Sequence, residues 1–133
     1  MAIVNTRFHN WSAAQIVMLV NAALFVVGAI LHMGVQVGPL TEPRIVPATV
    51  VETICALALV AGALAPFYAS GAAAAAAVAS NIVALAGLAL GAIALALGAG
   101  PRTVSNDIYH LIMTLLALAA LWLVITRERR NHR

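Results

Sequence analysis

His32 to Glu52 reads HMGVQVGPLTEPRIVPATVVE. The stretch leaves one long apolar run through a histidine, turns over Gly38, Pro39, Pro43 and Pro47, and enters a second apolar run that carries a carboxylate. Glycine and proline at this density end helices and build turns. The flanking apolar runs therefore read as two helices that meet at one turn, with an ionisable group on each side of it.

The chain around this turn has 133 residues, of which 64% are hydrophobic and only 8% charged. No soluble domain of that size has such a balance, so the chain is expected to lie in a lipid bilayer. A net charge of +3 would suggest nucleic acid in a soluble protein. Here Arg7, Arg127, Arg129, Arg130 and Arg133 flank the apolar runs at the chain ends. The charge is topological, and no nucleic-acid partner is expected. Cys55 is the single cysteine and lies inside an apolar run, which excludes an internal disulfide and a CxxC redox pair. It reads as a small buried apolar residue.

Four crossings follow. A bilayer core of about 30 Å needs roughly 20 apolar residues, and the pattern predicts helices over residues 13–37, 45–67, 72–97 and 106–126. The first follows Trp11, an interfacial aromatic, and exceeds the roughly 7–15 residues of a signal-peptide core. Asn21, Phe25, Gly28, His32 and Gln36 share one of its faces, and a polar stripe of this kind should point into a bundle rather than at lipid. The second helix opens with Pro47 in its first turn, where a missing N–H costs nothing. Tyr68 to Gly71 is a turn short enough to force antiparallel neighbours. The third helix is rich in alanine and carries Gly87 and Gly91 as a GxxxG, a close-packing surface in lipid. Packing within one chain is preferred here over a homo-oligomer seam. Ser105 is the expected N-cap of the fourth helix and Asp107 its first-turn acid. The fold class is thus all-α, an antiparallel bundle of four transmembrane helices in a single membrane domain.

Arginine counting orients the bundle. Five arginines fall on the side of the termini against Arg44 and Arg102 on the other, so both termini are expected in the cytoplasm. An alanine-rich chain without lysine points to a GC-rich bacterium, and so to a bacterial inner membrane. The C-terminal arginines should also attract anionic lipid headgroups, at about 1 kcal/mol each. Asn21 and Asn81 stand at similar depth, and a structural hydrogen bond between the first and third helices is expected of them.

His32, Glu52, Asp107 and His110 all fall in the outer half of the membrane when depth is counted along the helices. Three readings fit this cluster. The first is a satisfied polar network that locks the helices together. The second is a ligand site open to the outer surface, holding a lipid headgroup, a quinone or a small solute, since an intramembrane carboxylate is a functional hypothesis by default. The third is a metal site made by His32, His110 and Glu52, for which no HxxxH or HExxH spacing speaks.

The layout, with HMGV closing the first helix and IVPATVVE opening the second, resembles the small bacterial DoxX-like membrane proteins. The resemblance implies a four-helix bundle and, for some relatives, quinone or thiol redox chemistry. With a single cysteine, this chain departs from the thiol part. It departs too from small multidrug transporters, whose essential glutamate lies in the first helix. The leading expectation is a ligand-binding or accessory membrane protein with an outward-facing polar pocket, alone, as a homo-oligomer or within a larger membrane complex. The alternatives are a proton-coupled transporter or channel and a metal- or quinone-dependent membrane enzyme. No nucleotide, phosphate-loop or serine–histidine signature raises the enzyme reading.

Overall fold

The computed structural model describes residues 12–100 and 103–131. Arg7, His9, Trp11, Arg102, His132 and Arg133 lie outside the described residues. Four α-helices make up most of the described residues: α1 (Ala13–His32), α2 (Val46–Tyr68), α3 (Ala73–Ala96) and α4 (Val104–Asn131), with one 3-10 turn at Ser70–Ala72 between α2 and α3. Each of the four is long and apolar enough to cross a membrane, and α1, with 20 residues, spans about 30 Å.

Contacts along the helices show that neighbours run antiparallel. Gln15 and His32 of α1 meet Ala63 and Glu52 of α2, while Gly62 and Gly87 lie against Ser80 and Val51 across the α2–α3 seam. Asn21 and Leu24 meet Met113 and Tyr109 of α4. Each helix therefore packs on the next, α4 closes back on α1, and a ring of four surrounds a core of Met18, Phe25, Leu59, Ala84 and Met113. The faces turned away carry Leu57, Leu90, Leu115 and Trp122, all exposed. A chain in lipid has no reason to hide them.

Helix ends follow from local chemistry, and three differ clearly from expectation. Ser12 caps α1 in a capping box with Gln15, satisfying two N-terminal donors at once. At the other end α1 stops at His32 instead of reaching residue 37. Gly34 adopts φ +85°, and its N–H and that of Val35 return to Leu31 and Ile30 at 2.8 and 3.3 Å. Such a closure consumes the last carbonyls and needs a left-handed residue that only glycine supplies cheaply. Gln36 thus leaves the helical stripe; it is exposed and donates to the Gly38 carbonyl. Gly98 ends α3 in the same way, with φ +79° and Ala99 returning to Ala94. Helix α4 starts at Val104, earlier than expected, because Thr103 and not Ser105 is its cap: the Thr103 hydroxyl accepts from Asn106 N–H at 3.2 Å. It also runs on to Asn131 through the arginine-rich tail, whose cations suit the negative end of the helix dipole.

Candidate ligand-binding cavity

The turn between α1 and α2 sets the first two candidate side chains. Ile45 N–H donates to the His32 carbonyl at 2.9 Å, so α2 begins beside the end of α1. Helical side chains lean toward their own N-terminus. His32 therefore reaches down into the bundle and Glu52 reaches up, and they meet: His32 Nδ1 lies 2.8 Å from Glu52 Oε2, with both residues buried. Shared as an ion pair or with the proton on the carboxyl, this unit is neutral overall, which is what an apolar interior tolerates.

Two further residues complete the arrangement. Gly28, one turn below His32, faces Glu52 and the Tyr109 hydroxyl so closely that a Cβ there would collide with Glu52 Oε1 and Tyr109 Oη. Tyr109 donates to the Leu24 carbonyl at 2.7 Å, tying α4 to α1. His110, half-buried, has Nδ1 2.9 Å from the Asn106 carbonyl. Its Nε2 faces Gly91 of α3, 3.0 Å from where a Cβ would stand.

These groups edge a cavity of about 260 Å³. Its polar side holds His32, Glu52, Asn106, Tyr109 and His110, and its apolar side Leu88, Leu90, Ala94 and Leu95 of α3 with Ile45 and Val51. Glu42 of the α1–α2 loop also reaches it. Of the four residues expected to bind a ligand, His32, Glu52 and His110 thus share one cavity. Asp107 does not: it is exposed in the first turn of α4, because the α4 face that turns inward is the one carrying Asn106, Tyr109, His110 and Met113.

Among the described residues no three histidine, cysteine, aspartate or glutamate side chains stand close enough to hold a metal ion, so His32, Glu52 and His110 are not gathered into one set of ligands. His32 and Glu52 consume each other, and His110 turns its second nitrogen toward α3. Gly87 and Gly91 serve packing within the chain. A Cβ on Gly87 would strike Cys55 Sγ and come within 3.1 Å of Val51, whereas Gly91 makes room for the His110 ring. Asn21 and Asn81 do not bond each other. Asn21 donates to Met113 of α4 at 3.2 Å and Asn81 to Ala77 of its own helix at 2.8 Å. Helices α1 and α3 stand diagonally in the ring, so similar depth does not bring these residues together. Each leaves a buried Oδ1 that accepts no hydrogen bond among the described residues.

Tyr109 is the member that residue-type reasoning passed over, although it is the tyrosine next to His110 and one α4 turn from Asn106. Comparison of the chain with protein-family models, with curated proteins and with solved structures finds no match in any of the three.

Proposed function

We propose that this chain is a small multi-pass membrane protein that binds an amphipathic small molecule in the cavity at the α1–α2 loop end of its bundle. The carrying observation is the division of that cavity into a polar edge of His32, Glu52, Asn106, Tyr109 and His110 and an apolar wall from α3. Binding sites for small molecules combine an apolar enclosure with a few convergent polar groups. A purely structural network of the same residues would need no space beside it, since close packing is the norm in protein interiors. Arginine counting puts this end of the bundle on the outer side of a bacterial inner membrane, where an amphiphile could enter from the outer leaflet. The chain then acts as a binding or accessory component.

Native mass spectrometry of the protein released from lipid nanodiscs tests this reading, with wild type beside Ala94→Trp, which fills the apolar wall at an exposed position. The expected result is a small molecule retained by the wild type and lost from the variant, with helical content unchanged. A wild type that carries nothing and takes up no added amphiphile refutes it.

A further inference from the structure

The hydrogen bonds around the cavity say which kind of polar group an occupant must bring. A carbonyl oxygen only accepts, so the 2.9 Å contact between His110 Nδ1 and the Asn106 carbonyl places a proton on Nδ1. In the neutral imidazole the other nitrogen then carries a bare lone pair. That nitrogen, Nε2, has no hydrogen-bond partner among the described residues and stands beside Gly91, where the missing Cβ leaves it room, with both residues in the cavity lining. The neighbouring protons are spent inside the protein: that of the Tyr109 hydroxyl on Leu24 and the one shared between His32 Nδ1 and Glu52 Oε2 within their pair. What the polar edge offers is therefore weighted toward acceptors, His110 Nε2 and Glu52 Oε1, with the Asn106 amide able to serve either way.

Charge narrows the class further. No arginine is among the described residues lining the cavity; the His32–Glu52 unit is neutral overall, and Glu42 at the loop end is a carboxylate without such a partner in the lining. An anionic headgroup would meet like charge there. Size sets the last bound. An apolar cavity of about 150 Å³ takes up benzene, so about 260 Å³ has room for a two-ring or comparably branched body.

We infer that the cavity accepts an uncharged amphiphile whose polar end is a hydroxyl donating to His110 Nε2, with its apolar body against the α3 wall. The inference rests on the proposed ligand-binding role of the cavity. His110 is thus the residue that selects the ligand, while His32 and Glu52 shape the edge.

Three matched probes separate the outcomes: 2-naphthol, 2-methoxynaphthalene and 2-naphthoate, each measured on the protein in lipid nanodiscs and referred to protein-free nanodiscs. The naphthol is expected to bind about tenfold more tightly than its methyl ether, the worth of one good hydrogen bond. With histidine-labelled protein, the ¹⁵N resonance of His110 Nε2 should move with the naphthol and stay in place with the ether. His110→Phe, which keeps a ring and removes the lone pair, should abolish the preference of the naphthol over the ether. Equal binding of naphthol and ether, both blocked by Ala94→Trp, overturns the donor inference and leaves the cavity's binding role standing. Tighter binding of the naphthoate also overturns it, because the His110 ring would then be acting as a cation. If none of the three probes binds, the binding role falls and the inference with it.

Discussion

Gly28→Ala perturbs the one place where α1, α2 and α4 meet through polar atoms. The added Cβ would collide with Tyr109 Oη and Glu52 Oε1, and come within 2.9 Å of the Glu52 carboxyl carbon. Both side chains can swing away, but each would give up a bond. Displacing Tyr109 loses its bond to Leu24, about 0.5–1.5 kcal/mol, and displacing Glu52 weakens the bond to His32, about 1.5–3 kcal/mol for one that involves charge. Against this, replacing a glycine inside a helix returns about 0.5–1 kcal/mol. The sum is a net loss of roughly 1–4 kcal/mol. Hydrogen bonds between helices in lipid average only about 0.6 kcal/mol, so the lower half of that range is expected. The assay is reversible unfolding in mixed micelles titrated with SDS, followed by helical circular dichroism. Adding Tyr109→Phe removes one of the colliding oxygens, so the double variant should be more stable than the sum of the two single losses by at least about 0.5 kcal/mol, the limit for independent sites. A Gly28→Ala protein as stable as wild type, or strict additivity with Tyr109→Phe, would refute the close packing on which the cavity's polar edge depends.

The His32–Glu52 pair should behave as a unit. Glu52→Leu alone strands a buried histidine and is expected to cost about 3–5 kcal/mol, whereas His32→Leu/Glu52→Leu should recover most of that loss; additive losses in the same SDS titration would dissolve the pair. Asn21→Leu and Asn81→Leu each remove an amide with a buried, unaccepted Oδ1 and one hydrogen bond. Each should change stability by no more than about 1 kcal/mol, and the two should add, since they share no bond; coupling above about 0.5 kcal/mol in the double variant would place them in contact after all. Leu40→Cys, at an exposed loop position, should react with a membrane-impermeant maleimide added outside intact cells, while native Cys55, buried at 1% exposure, stays silent. Labelling of that cysteine only after the cells are opened would invert the proposed orientation.

Much of the fold is written in patterns that survive without any tertiary information. Four apolar stretches, each near the length of a bilayer core, and punctuation at Gly38, Pro39, Pro43 and Pro47 around the α1–α2 loop account for element number and order. The stripe of Asn21, Phe25, Gly28 and His32 pointed inward as its periodicity required, and all four are buried. The stripe failed at Gln36 because periodicity is blind to a glycine that closes the helix two residues after His32. Counting depth along helices located His32, Glu52 and His110 at one end, yet it erred for Asn21 and Asn81. Depth is one coordinate, and the ring order that makes α1 and α3 diagonal is a second that no single helix carries. Tyr109 escaped notice for a related reason: a tyrosine near a helix end reads as an interfacial anchor until the neighbouring helix presents a carbonyl to it.

The same residue types therefore divide into two chemical roles that composition alone cannot separate. Glu52, the lone carboxylate deep in α2, attracts attention as a binding group. Its Oε2 is committed to His32, and its position is wedged by Gly28. Such a pair holds helices in register, and displacing it would expose an uncompensated charge. His110 is different. Its first nitrogen is satisfied within its own helix, so the ring is oriented without help from a neighbour, and its second nitrogen costs the protein nothing to offer. A group that is positioned locally yet left with an unused lone pair beside an apolar wall is suited to meet a ligand that comes and goes, because binding and release leave the bundle's own hydrogen bonds intact. On the proposed binding role, the His32–Glu52 pair fixes the shape of the cavity and selectivity falls to the histidine one helix away.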